Sequence, residues 1–164
     1  MLVDIVSKNG NLLLSVPIRP DGTIDEKEEL ILQGIAAWMK INGEAIYGTR
    51  PWKIYGEGPS VDKGDQNQTE SEEQIENSYT SEDIRFVEKN GILYAHVLAW
   101  PVDGSRVVIK SLATDSSIYE GEIGQVELLG HEGKLPFHRG SEGLEVTLPA
   151  EKPNEILPVL KIRH

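Results

Sequence analysis

The stretch "DIRFVEKNGILYAHVLAWP", Asp83 to Pro101, decides the fold class. Ile84 and Phe86, and then Leu93, Ala95, Val97 and Ala99, recur at every second position, the period of a strand with one face on a core. Lys89-Asn90-Gly91 lies between the two runs. Asn-Gly tolerates the positive φ angles of a tight hairpin loop, so the stretch predicts two antiparallel strands joined by a short turn. His96 falls on the face opposite the alternating apolar residues and is predicted to be solvated.

The same pattern continues on either side. Downstream, "RVVIKSLA" (106–113), "GEIGQVELLGHEGKLPFHRGSEGLEVTLP" (121–149) and "ILPVLKIRH" (156–164) read as short strands, with turns around Gly130 to Gly133 and Gly140 to Gly143. Upstream, "EAIYGTRPWKIYGEG" (44–58) reads as the first strand of the set. From Glu57 to Asp83 the chain is polar, with almost no large apolar residue before Ile75, and is predicted to be an extended solvated loop. Its "SEEQIEN" portion is ambiguous between loop and helix, and its acidic spacing does not match a calcium-binding EF-hand loop. Short strands with regular turn signals predict an antiparallel β-sandwich or open barrel.

Further upstream the pattern changes. In "SKNGNLLLSVPIRPDG" (7–22) the run from Leu12 to Ile18 is broken only by Ser15 and Pro17. A strand that does not alternate is usually covered on both faces, as in a parallel α/β sheet. Too few residues precede it to supply parallel neighbours. Leu2, Val3, Ile5 and Val6 read as the end of an amphipathic helix stopped at Asn9-Gly10, so the chain is expected to be cut from something longer. After the run, Asp21-Gly22 makes a turn and Thr23 or Asp25 can cap a helix whose first turns are acidic. Leu30, Ile31, Ile35, Trp38 and Met39 lie at helical spacing, and Asn42-Gly43 ends the helix. The predicted fold is therefore mainly β: an α-β-α piece up to about Glu44, followed by an antiparallel β-sandwich or open barrel.

Composition narrows the function. The 164 residues carry 27 Asp and Glu against 16 Lys and Arg, a formal net charge of −11. No basic stripe is present, which argues against nucleic acid or an anionic membrane as the partner. There is no cysteine, so disulfides and thiolate metal sites are excluded and the compartment stays open. No apolar stretch approaches the roughly 20 residues of a membrane span. The N-terminus lacks the basic start and the cleavage site of a signal peptide.

Few residues offer chemistry. His131 and His138 flank a turn but lack the further ligands a metal site needs, and His164 is terminal. Neither "GSEGLE" nor "NGEAIYG" is a nucleophile elbow or a phosphate loop. Trp38 is expected in the core. Trp52, Tyr55, Tyr94 and Trp100 are candidates for stacking on a sugar, although core or interface packing suits the tryptophans as well. No catalytic residue, metal ligand or cofactor site is assigned.

The run "LVDIVSKNGNLLLSVPIRPDGTIDEKEELILQGIAAWMKINGEAIYGTRPW", Leu2 to Trp52, closely resembles the α-L-fucosidases of glycoside hydrolase family 29. The ordered string "SKNGNLLL", then "P-x-R-x-DG-x-I", then "W-x-x-x-NGEAIYGTRPW" carries the likeness, and Glu82 to Pro101 extends it. The resemblance implies a parent enzyme in which a (β/α)₈-like barrel carries the active site and a C-terminal β-sandwich packs against it. Leu12 to Val16 would be the last barrel strand, Asp25 to Ile41 the closing helix, and the sandwich a buttress. Such enzymes are retaining hydrolases of terminal α-L-fucosyl linkages that need no cofactor. The nucleophile and the acid/base would both fall upstream of Met1, so this chain alone is expected to be inactive. Ser15 stands where many members have Asn, which puts any polar contact from that strand end in doubt. Strand C-terminal ends face the active site of a barrel, which makes Arg19 the one candidate for the substrate pocket's rim, beside its simpler role in a barrel-closing salt bridge. The implied partners are the missing barrel portion and, for the parent, a fucosylated glycan. An exposed strand edge and apolar patch would make the isolated chain self-associate. The alternative is a stand-alone carbohydrate-binding β-sandwich module.

Overall fold

A computed structural model describes residues 1–62, 79–102 and 106–164. Most of the polar stretch from Glu57 to Asp83, including "SEEQIEN", lies outside them. Two helices lead: α1 (Leu2–Ser7) and α2 (Glu26–Asn42), the second running into a 3-10 turn at Gly43–Ala45. Then follow β1 (Arg50–Glu57), the one-turn helix α3 (Pro59–Asp62), β2 (Ile84–Lys89) and β3 (Ile92–Val97). The remaining strands are β4 (Arg106–Ile109), β5 (Gln125–Leu128), β6 (Phe137–Gly140), β7 (Gly143–Thr147) and β8 (Val159–Arg163). All pair antiparallel, in a five-stranded sheet of order β1-β2-β3-β8-β5 and a three-stranded sheet of order β4-β7-β6.

The β2–β3 hairpin forms in the register its sequence dictates. Lys89 pairs with Ile92 around Asn90 (φ 54°) and Gly91 (φ 77°), the two positive angles a twisted two-residue loop needs. Alternation then builds the core. Phe86, Ala95, Leu160 and Leu128 are aligned across four strands. They bury one face of the large sheet against Val107 and Ile109 of β4 and Leu144 and Val146 of β7. Side chains tie the two sheets as well. The Glu57 carboxylate, at the end of β1, accepts hydrogen bonds from the backbone N–H groups of Lys110 (2.7 Å) and Ser111 (2.8 Å).

The other face of the large sheet is covered too. Val87, Tyr94 and Val159 pack there with Val3, Trp38 and Ala45 of the N-terminal segment in a second apolar cluster. This overturns the solvated position predicted for His96. His96 is fully buried, because the residues on the opposite face of the hairpin meet the N-terminal segment rather than water.

The predicted strand at Leu12 to Val16 is also corrected. Residues 11–17 have no regular structure, and the nearest pairing is a single bridge between Ile18 and Ile24. A strand exists only by hydrogen bonding to a neighbour, and no described residue pairs with this run. The helix after it forms nearly as predicted. Asp25 is its N-cap and accepts from the Lys27 N–H at 3.0 Å.

Candidate functional site

Three long-range contacts seat the N-terminal segment on the sheet. Arg85, on β2 directly opposite His96 of β3, points into this interface. Its side chain is only 3% exposed, and Nε donates to Asp4 of α1 at 2.5 Å. Nη2 donates to Ser60 Oγ at 2.9 Å, and the guanidinium lies over the rings of Tyr55 and Tyr79. Burial pushes the Asp4 carboxyl up, but hydrogen bonds from Lys8 and Arg85, with their charges, outweigh it and hold the group below its ordinary value. The second contact joins Trp38 of α2 to the carbonyl of Leu157, with Nε1 donating at 3.4 Å. The third is the Lys161–Glu44 pair at 2.6 Å.

His96 sits in the same layer. Among the described residues no partner of good geometry reaches Nδ1 or Nε2. Desolvation lowers its pKa to about 4, and the nearby backbone groups of Arg85 and Ala45 oppose that shift only in part. A neutral imidazole is therefore held beside a buried guanidinium.

The opposite side of the N-terminal segment is bare. Leu13 is 95% exposed, Ile18 69%, Leu30 67% and Ile31 55%, with Leu14, Ile24 and Ile35 also exposed. Apart from Ile24 these are the residues whose pattern predicted a strand covered on both faces and a helix with an apolar face. Of the helix positions singled out, Trp38 is buried and Met39 partly so. An apolar face this broad is rare on a free soluble surface and marks a contact region.

The sequence-selected site residues are scattered. Arg19 is half-exposed and donates to Asp25 at 2.9 Å, so the helix cap holds it. Trp52 is half-buried in the core, edge-on to Phe86 at 5.1 Å and near Tyr119 at 6.3 Å. Trp100 packs against the same core, with Lys152 over its ring. Tyr94 is buried in the second cluster, and desolvation, aided by the charge of Glu44, pushes its hydroxyl up to about 12. Tyr55 is partly exposed and lies under Lys8 and Arg85. The four aromatics form no common row.

Among the described residues no group of three His, Asp or Glu side chains could hold a metal. Sequence reasoning missed Asp4 and Arg85. The available signal for both was Val87 and Tyr94, apolar residues on the nominally polar face of the hairpin.

Known proteins match this arrangement along its length. The family described as "Alpha-L-fucosidase" matches residues 1–44, and "Alpha-L-fucosidase C-terminal domain" matches residues 76–163. Tissue alpha-L-fucosidase of Mus musculus is 32% identical over 159 residues, covering 96% of this chain and 29% of its own length. Plasma alpha-L-fucosidase of Rattus norvegicus is 33% identical over 153 residues, covering 90% of this chain and 27% of its own. The crystal structure of Thermotoga maritima alpha-fucosidase with a mechanism-based inhibitor superposes with a TM-score of 0.71 at 28% identity, over 99% of this chain and 32% of that one. The chain thus spans less than a third of these relatives. With every strand except β1 inside the C-terminal-domain match at 76–163, the chain belongs to the α-L-fucosidase family and corresponds to the C-terminal region of its members.

Proposed function

We propose that this chain serves as the C-terminal portion of a retaining hydrolase of terminal α-L-fucosyl linkages, in which the β-sandwich buttresses a catalytic barrel. The reading rests on the two-sided N-terminal segment. One side is locked to the large sheet by Asp4–Arg85, Trp38–Leu157 and Lys161–Glu44. The other presents Leu13, Leu14, Leu30, Ile31 and Ile35 to solvent. Such a segment is a rigid adaptor, anchored below and open above to a further apolar layer. Residues 1–46 would belong to the barrel and 47–164 to the buttress.

Retaining hydrolysis uses one carboxylate as nucleophile and a second as acid, then base. No residue of this chain takes either role. Its contribution is positional: it fixes the segment that would close the barrel. Arg19, held by Asp25 beside the Ile18–Ile24 bridge, is the residue proposed for the pocket rim.

An aryl α-L-fucoside tests the proposal. The 164-residue chain alone should give no turnover, and the longer protein containing it should hydrolyse the substrate with retention of anomeric configuration. Turnover by the chain alone would overturn the assignment, as would inactivity of the longer protein.

A further inference from the structure

A cleft of 540 Å³ opens between the end of α2 and the β5–β8 edge of the large sheet, and none of its lining residues belongs to the Asp4–Arg85 contact or to the bare apolar face. We propose that it is an accessory glycan-binding subsite, with Tyr47 as the stacking platform for a neutral sugar ring. The proposal rests on the fucosidase reading only for the origin of the ligand, since a glycan hydrolase meets such chains at work.

Tyr47 carries the argument. It is 67% exposed, yet it is held on both sides of its α-carbon. Its N–H donates to the Gly43 carbonyl at 2.8 Å, and its own carbonyl accepts from Lys89 Nζ at 2.7 Å. The ring rests on Gly43: a β-carbon there would lie 3.2 Å from Cε2 and 3.4 Å from Cδ2. Glycine at 43 thus gives the ring its seat. An exposed aromatic fixed in advance loses little entropy on binding, which is why rigid tyrosines serve so often as contact residues.

The cleft's polar groups select the ligand class. Glu44 and Lys161, paired at 2.6 Å, line the cleft together with Tyr47, Glu127, Lys40 and His131. Two carboxylates balance two ammonium groups there, which disfavours phosphates and metal ions alike. A pyranose matches instead. It offers an apolar C–H face to the aromatic ring and a rim of hydroxyls to a carboxylate acceptor and an ammonium donor. The volume lies within the usual range for small-ligand sites.

The test is a titration of the 164-residue chain, isotopically labelled, with L-fucose, a fucosylated trisaccharide and an unfucosylated disaccharide. Saturation-transfer spectra taken in parallel tolerate self-association. Amide shifts should centre on Gly43 and Tyr47, with a dissociation constant of about 1 mM, as befits one stacked ring and a few hydrogen bonds. Tyr47→Ala should weaken binding at least about tenfold, equivalent to the loss of roughly 1.4 kcal/mol, while Tyr47→Phe should retain it. Gly43→Ala, which displaces the ring, should weaken it as well. No shifts with any of the sugars would overturn the proposal. So would sugar shifts that survive Tyr47→Ala, or shifts at Tyr47 that follow protein concentration alone and mark a contact between copies. The binding readout is independent of hydrolysis, so failure of the fucosidase assay leaves a distinct signature.

Discussion

His96 and Arg85 stand opposite each other on adjacent strands, both buried, and only one carries charge at neutral pH. The imidazole stays neutral because burial strips water from it, and the nearby backbone groups of Arg85 and Ala45 offset that only in part. Among the described residues Asp4 is the carboxylate paired with that guanidinium, and Lys8 shares it. The folded pKa of His96, about 4, lies below the ordinary value of 6.5. Its contribution to stability is therefore complete above pH 6.5 and is lost as the pH falls through that value toward 4. The full loss is about 3 kcal/mol, of which about 2 kcal/mol is gone by pH 5. Urea unfolding midpoints should accordingly drop between pH 7 and pH 5, and His96→Phe should flatten that part of the profile. A profile unchanged by the substitution would show that other groups carry the acid sensitivity. Asp4 and Asp83, both held below the ordinary aspartate value, add their loss only at lower pH. Beyond the hint from Val87 and Tyr94, little of this was legible in the sequence. Alternation says which residues share a face, but not whether a distant segment returns to cover the other one.

At the scale of elements, the hairpin was the most legible and the run from Leu12 to Ile18 the least. Asn90-Gly91 carries its turn geometry locally, so nothing remote can revise it. A non-alternating apolar run says only that both faces need cover; its pairing partners must come from elsewhere. Loops lie between these cases. Arg139 of β6 donates to the carbonyls of Leu112 (2.7 Å), Gly121 (2.6 Å), Tyr119 (2.9 Å) and Ala113 (3.0 Å), and stacks on the Tyr119 ring. One guanidinium thus organises the connection between the two sheets. Its partners are backbone groups, which leave no trace in residue identity. Arg139→Met keeps the packing and strands these carbonyls, and should destabilise the chain by about 3 kcal/mol, read as a lower chemical-denaturation midpoint. A loss under about 0.5 kcal/mol, the scatter of ordinary surface changes, would show that water replaces the bonds readily.

For the molecule as a whole, the exposed face from Leu13 to Ile35 dominates solution behaviour. With so many aliphatic side chains bare, the isolated chain should associate in sedimentation runs at micromolar concentration. Replacing Leu13, Leu30 and Ile31 together with Ser should return it to a monomer. A monomeric parent chain would mean that the segment folds back on itself instead. Sequence pattern found this face, and the resemblance implied that it would lie bare in the isolated chain; periodicity by itself reports that a surface is apolar and not what lies against it.

The position of β8 between β3 and β5 has a consequence in time. Residues 159–163 bridge the two halves of the large sheet, and Leu157 and Lys161 receive Trp38 and Glu44, 119 and 117 residues earlier in the chain. During synthesis the adaptor segment emerges well before β8 and the residues leading into it. Closing contacts across such separations is slow, so Trp38 and its apolar neighbours must wait bare until β8 leaves the ribosome. That interval is when a chaperone would have most to hold.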